Sequence, residues 1–170
     1  METIQALTIQ LGKALVQRGF LLATAESCTG GWIAEVVTAI PGSSGWFERG
    51  FVTYSNLSKQ QMLGVSDATL ERHGAVSEAV AREMAMGALL HSAARAAIAV
   101  SGIAGPSGGT PDKPVGTVCF AWAIEEFAEE NKDPTELRQA FATRRFSGDR
   151  QSIRQQSVLF GLQGMLGMLQ

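Results

Sequence analysis

The stretch Phe20-Leu-Leu-Ala-Thr-Ala-Glu-Ser-Cys-Thr-Gly-Gly31 and the residues that follow it decide the fold class. Residues Phe20–Ala25 form a short, largely apolar run, which predicts a buried strand. After the polar turn Ser27–Gly31, apolar residues recur at helical spacing from Trp32 to Ile40, and Pro41 ends the run. A buried strand that leads through a glycine turn into a helix is the building unit of an α/β domain.

The same alternation of helices and strands continues on both sides of this unit. Helical spacing predicts further helices at Glu2–Gln17, Asn56–Leu63, Glu78–Ala94 and around the aligned Val158, Leu162, Met165 and Leu169. Ser66 and Ser77 have the pattern of helix N-caps. Apolar runs predict further strands at Phe47–Tyr54, Ala96–Val100, Val115–Ala123 and Arg138–Phe146. The charged segment Glu125–Asp133 is expected to be a solvated loop. We therefore predict one domain over residues 1–170, a three-layer α/β/α sandwich with a mixed, largely parallel sheet.

Composition excludes several classes of protein. The 170 residues are 45% hydrophobic and 18% charged, which is typical of a globular domain with its own core. A formal net charge of −2 argues against a nucleic-acid surface. The chain start lacks the basic and apolar run of an export signal, and the apolar stretches are too short for a bilayer. We expect a cytoplasmic protein with neither nucleic-acid nor membrane partners.

The turn after the first strand is the first candidate for chemistry. Backbone amides at a helix start can hold an oxyanion, and Ser27 could supply a nucleophile there. The alternative is that Ser27 and Thr29 only cap the helix. Cys28 could be a reactive thiol at this position, although a small packing residue is the favoured interpretation. With Cys119 far away in the sequence and no histidine near either cysteine, neither a disulfide nor a zinc site is indicated.

A second candidate segment follows the next strand. Tyr54 ends the strand, Lys59 lies about one helical turn further on, and both could converge on a nearby serine. A lysine can accept the serine proton if burial lowers its pKa. The alternative is an ordinary surface lysine. A reductase Tyr-x-x-x-Lys pair is excluded because the gap is one residue too long and no Gly-x-Gly-x-x-Gly segment opens the chain.

A third segment, Ser101–Gly109, is a glycine-rich turn whose amides could line a phosphate or ribose site. It lacks the Gly-Lys-Ser/Thr ending of a P-loop, so ATP hydrolysis is not indicated. A generic turn is the alternative. Near the C-terminus, Arg150 opens the last helix and could point at an anion. His73 and His91 lie in ordinary helical positions, which gives a Ser-His-Asp arrangement little support.

These segments together resemble the CinA C-terminal domain family. The resemblance rests on residues 24–31 (TAESCTGG), 50–55 (GFVTYS) with Lys59, 74–77 (GAVS), 101–106 (SGIAGP), 113–118 (KPVGTV) and 146–150 (FSGDR), and it covers nearly the whole chain. The family includes amidases that act on nicotinamide nucleotides in bacterial pyridine-nucleotide recycling. The resemblance therefore implies conversion of nicotinamide mononucleotide to nicotinic acid mononucleotide and ammonia, without a metal or other cofactor.

The resemblance also implies roles for individual residues. Ser27 would be the nucleophile, Lys59 its base, and Tyr54 a residue that orients or relays the proton. The expected substrate-binding residues are Thr29, Gly30, Gly31, Ser101, Gly102, Ile103, Ala104, Gly105 and Arg150. Two alternatives stay open, a non-catalytic nucleotide-binding module linked to competence or DNA damage, and an amidase or esterase with another substrate.

An expectation about assembly comes from the last helix. Leu159 and Leu166 add apolar surface beyond the stripe that begins at Val158, more than one side of a helix needs. We therefore predict a homo-oligomer, most simply a two-fold homodimer.

Overall fold

The computed structural model describes residues 3–129 and 132–170 of the chain. Helices are interspersed with strands along it, as the sequence predicts. The helices are α1 (Ile4–Arg18), α2 (Trp32–Thr38), α3 (Asn56–Leu63), α4 (Asp67–His73), α5 (Glu78–Leu90) and α6 (Arg150–Leu169). The strands are β1 (Leu22–Glu26), β2 (Phe47–Val52), β3 (Ala96–Gly102), β4 (Thr117–Glu129) and β5 (Lys132–Arg145). Ser66 and Ser77 cap α4 and α5, as predicted.

The strands form one mixed five-stranded sheet in the order β2-β1-β3-β4-β5. β1 pairs in parallel with both β2 and β3, whereas β4 is antiparallel to β3 and to β5. β5 therefore runs in the same direction as β1, β2 and β3. The prediction of a mixed sheet in an α/β domain is confirmed.

Two hydrophobic cores, one on each face of the sheet, make the three layers. Side chains alternate along each strand, so Ile98 and Val100 of β3 face one core while Ala97 and Ala99 face the other. The first core contains residues of α1, α2 and α6. The second contains residues of α3, α4 and α5, and its sheet face is mostly alanine. These small side chains leave room for α5, whose Met84 is fully buried.

The prediction of a loop at Glu125–Asp133 is wrong for the residues of this segment that the structure describes. β4 continues to Glu129 and β5 begins at Lys132, while residues 130 and 131 lie outside the described residues. The charge of Glu126 is compatible with a strand because its carboxylate lies 2.8 Å from Arg18 and 3.4 Å from Arg138. In the described part, paired charges on two long antiparallel strands thus replace the solvated loop.

Helix α5 is shorter than predicted and ends at Leu90 instead of Ala94. The Ser92 hydroxyl donates to the Ala88 carbonyl at 2.6 Å, and the His91 ring lies 2.8 Å from the Gly87 carbonyl. These side chains compete with backbone amides for the last carbonyls of the helix. Helix α2 likewise ends at Thr38, two residues before the predicted Ile40.

The surplus apolar surface expected on α6 is not present. Leu166 is buried, and Leu159 packs against the same core as Leu162. The homodimer prediction therefore loses the argument on which it was based. No helix within residues 3–129 and 132–170 is both long enough and apolar enough to cross a membrane.

The topology places the candidate segments along one edge of the sheet, the edge that is formed by strand ends and not by an outer strand. The carboxyl ends of β1, β2, β3 and β5 lie at the same edge because these four strands share a direction. In α/β sheets this edge is the usual position of ligand sites. The segments that leave it are residues 27–31, 53–59, 103–105 and 146–150.

Candidate active site

Ser27 and Lys59 meet at this edge. Ser27 directly follows β1, and its amide donates to the Val100 carbonyl at 3.0 Å, which extends the pairing of β1 with β3. Lys59 lies in α3, whose capping box at Ser55 and Ser58 fixes the start of the helix. Lys59 Nζ lies 2.9 Å from Ser27 Oγ. The lysine is 1% exposed and the serine 7%, so both side chains are buried.

The surroundings of Lys59 favour an uncharged amine. Its Nζ lies 2.9 Å from the Thr53 carbonyl and 3.3 Å from the Tyr54 carbonyl. No described carboxylate forms an ion pair with it. Burial lowers the pKa of Lys59 because a charged ammonium loses its hydration there. A neutral amine has two N–H donors and one lone pair, which matches two carbonyl oxygens and one hydroxyl.

A buried carboxylate, not predicted from the sequence, organises the turn after Ser27. Glu26 Oε1 accepts hydrogen bonds from the Thr29 hydroxyl at 2.7 Å and the Ile33 amide at 2.8 Å. Its Oε2 accepts from the Ala34 amide at 3.0 Å. Burial raises the pKa of Glu26, and these hydrogen bonds oppose the increase. Glu26 thereby satisfies the amides that begin α2.

The structure places Thr29, Gly30 and Gly31 beside the cleft and not in its lining. The Thr29 hydroxyl is bonded to Glu26, and the Gly30 amide donates to the Ser27 carbonyl at 3.0 Å. The two glycines adopt φ values of 60° and 99°. The Thr29 side chain therefore does not contact a ligand in this arrangement. Gly30 and Gly31 provide the positive φ angles that the turn requires.

A cleft of about 380 Å³ opens above Ser27 and Lys59. Its lining comprises Ser27, Cys28, Tyr54, Asn56, Lys59, Ala75, Val76, Ser101, Gly102, Ile103, Ala104, Gly105, Ser107, Gly108 and Arg150. The predicted segments 101–105 and 150 thus come together with the Ser27–Lys59 pair. Ser107 and Gly108 belong to the glycine-rich segment 101–109 that the sequence indicates, whereas Asn56, Ala75 and Val76 were not predicted as site residues.

Arg150 connects two walls of the cleft. Its Nη1 donates to the Gly105 carbonyl at 2.7 Å, and its Nη2 donates to the Tyr54 hydroxyl at 3.2 Å. Tyr54 is 64% exposed. Its ring therefore lies at the mouth of the cleft, whereas its backbone carbonyl lies next to Lys59. Among the described side chains, no carboxylate pairs with Arg150.

The glycine-rich loop is held in a fixed shape around the cleft. The Ile103 amide donates to the Thr117 carbonyl at 2.9 Å, and the Ser101 hydroxyl donates to the Ala75 carbonyl at 2.8 Å. Gly105 has a φ of 79°, and a Cβ there would lie 2.4 Å from a Val115 methyl. Only glycine fits this position, which brings the loop backbone close to Arg150.

Cys28 behaves as a packing residue. It belongs to the first hydrophobic core and is 5% exposed. Burial raises the pKa of Cys28 to about 12, so its thiol is protonated at neutral pH. In the part of the chain that the structure describes, no group of three His, Cys, Asp or Glu is placed to hold a metal ion.

The chain is similar to known proteins along nearly its whole length. Residues 4–169 match the model of the CinA C-terminal domain. The chain is 53% identical to "Nicotinamide-nucleotide amidohydrolase PncC" of Escherichia coli K12 over 94% of its length and 91% of that protein. It is 47% identical to the PncC of Pseudomonas putida over 98% and 97% of the two chains. The crystal structure of "competence/damage inducible protein CihA" from Agrobacterium tumefaciens superimposes over all of both chains with a TM-score of 0.87 at 40% identity. The chain belongs to the CinA C-terminal domain family.

Proposed function

We propose that this protein is a serine amidohydrolase of pyridine-nucleotide recycling, which converts nicotinamide mononucleotide to nicotinic acid mononucleotide and ammonia. The observation that carries the proposal is the 2.9 Å contact between Lys59 Nζ and Ser27 Oγ at the base of a cleft. The names of the E. coli and P. putida relatives support the substrate class.

The proposed chemistry balances with these two side chains and one water. Ser27 Oγ attacks the carboxamide carbon, which the pyridinium ring makes electron-poor, while Lys59 Nζ takes the hydroxyl proton. Lys59 then gives this proton to the nitrogen that leaves, so that the C–N bond breaks and ammonia departs from an ester on Ser27. Water attacks the ester, Lys59 accepts its proton, and Ser27 Oγ is released and reprotonated.

The proposed oxyanion donor is the amide of Cys28, a residue that lines the cleft directly after the nucleophile. The Gly30 amide is not available for this role because it donates to the Ser27 carbonyl, and Thr29 lies outside the cleft lining. Among the residues that the structure describes, the Cys28 amide donates to no other residue. Backbone amides that are unpaired next to a nucleophile are available for a developing oxyanion.

We assign the phosphate of the mononucleotide to Arg150 and the neighbouring loop 102–105. Arg150 is bonded to two neutral oxygens and to no described carboxylate, so its positive charge is available to an anion. A guanidinium can bind a phosphate through two parallel hydrogen bonds. Tyr54, bonded to Arg150 through its hydroxyl, is assigned an orienting role.

The test is ammonia release from purified protein with nicotinamide mononucleotide, nicotinamide riboside, free nicotinamide and the intact dinucleotide. The proposal predicts the highest kcat/KM for the mononucleotide. Binding of the mononucleotide without any turnover would favour the regulatory alternative, and faster hydrolysis of an unrelated amide or ester would favour a different substrate.

We propose that the protein is a cytoplasmic homodimer. The subunits would associate through a surface other than α6. Leu137 and Phe141 lie on the same face of the outer strand β5, and they are 38% and 42% exposed. Such apolar residues on an edge strand favour contact with a second copy. Light scattering should show a dimer that Phe141→Ser weakens, and a monomeric wild type at micromolar concentration would contradict this.

A further inference from the structure

Arg154 reaches from α6 to the turn that carries Ser27. Its Nε donates to the Cys28 carbonyl at 3.0 Å, and its Nη2 donates to the Thr29 carbonyl at 3.1 Å. Its guanidinium lies 5.3 Å from the centroid of the Trp32 ring. Arg154 is not part of the cleft lining, so it approaches the turn from outside the cleft.

The two hydrogen bonds fix the orientation of peptide groups next to the nucleophile. In a trans peptide the C=O of one residue and the N–H of the next point in opposite directions. Because Arg154 holds the Cys28 carbonyl, it also fixes the Thr29 amide, which must point away from Arg154. We propose that Arg154 is a positioning residue for hydrolysis, acting through the carbonyls of Cys28 and Thr29 to set the geometry of the Ser27 turn.

Glu26 and Arg154 hold this turn through complementary groups. Glu26 accepts from the Thr29 hydroxyl and from amides of α2, whereas Arg154 donates to carbonyls of the turn. The Ser27 carbonyl is already occupied by the Gly30 amide. The Thr29 carbonyl also accepts from the Trp32 amide at 3.0 Å, so Arg154 shares that carbonyl and is the described donor to the Cys28 carbonyl.

This inference rests on the proposed function, because positioning is measured through turnover. If Arg154 only stabilised the fold, its loss would lower the amount of active protein without changing each folded molecule. If it positions the turn, kcat per folded molecule falls. A displacement of about 1 Å near reacting atoms can cost on the order of 100-fold in rate. KM stays close to the wild-type value because Arg154 does not contact the cleft.

The experiment compares Arg154→Met with Arg144→Met. Both arginines lie over an aromatic ring, Arg144 at 4.7 Å from the Phe160 centroid, so both variants lose a cation–π contact. Only the Arg154 variant loses hydrogen bonds to the Ser27 turn. We expect Arg154→Met to lower kcat for nicotinamide mononucleotide by about 10- to 100-fold, with Arg144→Met close to wild type. Millimolar guanidinium added to Arg154→Ala should restore part of kcat in a concentration-dependent way.

Equal kcat values per folded molecule for Arg154→Met and Arg144→Met would overturn the inference. If Arg154→Met does not fold, Arg154→Lys provides the same test. A single ammonium cannot reproduce the fork that reaches two carbonyls, so its kcat should fall below wild type, and full activity would overturn the inference. A wild-type protein that releases no ammonia from the mononucleotide would instead contradict the proposed function itself.

Discussion

Lys59 Nζ lies 2.9 Å from Ser27 Oγ, and its two other polar neighbours are the carbonyl oxygens of Thr53 and Tyr54. This environment differs from that of a structural lysine, which would be paired with a carboxylate or exposed to water. The two carbonyls can take the N–H groups of a neutral amine and leave its lone pair facing the serine hydroxyl. The proposed proton transfer follows from this arrangement.

The activity should depend on pH through Lys59. Because burial lowers the pKa of Lys59, its neutral form becomes populated at a lower pH than in a free lysine, whose pKa is about 10.4. We predict that kcat/KM for nicotinamide mononucleotide rises as pH rises through the folded-state pKa and then becomes constant. Lys13→Met, a change on the exposed side of α1, serves as control and should leave the profile unchanged. A profile that is flat across this range would contradict Lys59 as base.

Stability should also depend on pH through Lys59. In the unfolded chain Lys59 stays protonated up to about pH 10.4, whereas in the folded chain it loses its proton at lower pH. Between these two values the unfolded state binds more protons, so the free energy of unfolding rises with pH. Lys59→Met removes this contribution. Urea unfolding of both proteins should give a stability difference that shifts towards the wild type as pH rises. A difference that does not change with pH would show that Lys59 titrates normally.

Glu26→Gln should destabilise the protein. The described hydrogen-bond partners of the Glu26 carboxylate are all donors, one hydroxyl and two backbone amides. A glutamine would therefore place its NH2 group against another donor. Leaving a buried donor unpaired typically costs about 1–3 kcal/mol. Thermal unfolding measures the loss, and Glu35→Gln, a change of an exposed glutamate in α2, is the matched control. Equal melting temperatures for the two variants would contradict the assigned role of Glu26.

Arg150→Ala should weaken substrate binding more than it slows turnover. Without the guanidinium, KM for nicotinamide mononucleotide should rise substantially while kcat changes less. Nicotinamide riboside lacks the phosphate, so its kcat/KM should change little. Arg49→Ala, which removes a surface arginine paired with Glu48, serves as control. The same loss for both substrates would show that Arg150 does not bind the phosphate.

The sequence predicts most of the fold because hydrophobic periodicity marks most of its elements. Helix α1 and strand β3 appear in the structure within about two residues of their predicted bounds. The described part of segment 125–133 was mispredicted because charged residues are typical of loops, whereas here Glu126 is paired with Arg18 of α1 and Arg138 of β5. Similarly, the apolar residues of α6 gave no indication that Leu159 and Leu166 would pack with the first core.

The candidate site was likewise predicted only in part from the sequence. The order of the motifs brought Ser27, Lys59, the glycine loop and Arg150 into one hypothesis, and the direction of the strands explains why they meet. The roles of Glu26 and Arg154 depend on contacts across the fold, such as the 3.0 Å bond from Arg154 to the Cys28 carbonyl. Residue type and spacing alone do not distinguish Glu26 from an ordinary helix-cap residue or Arg154 from an ordinary surface residue.

The most direct test of the central claim is ammonia release from nicotinamide mononucleotide by Ser27→Ala, Lys59→Met and the double variant. Residues that act as one unit have losses that do not add. Each single variant should therefore lose activity on the order of 10⁴-fold or more, and the double variant should be little worse. Ser27→Ala should still fold, because it removes one hydroxyl, and Ser43→Ala, a buried serine outside the cleft, should keep wild-type activity. Near-wild-type turnover by folded Ser27→Ala would contradict the account.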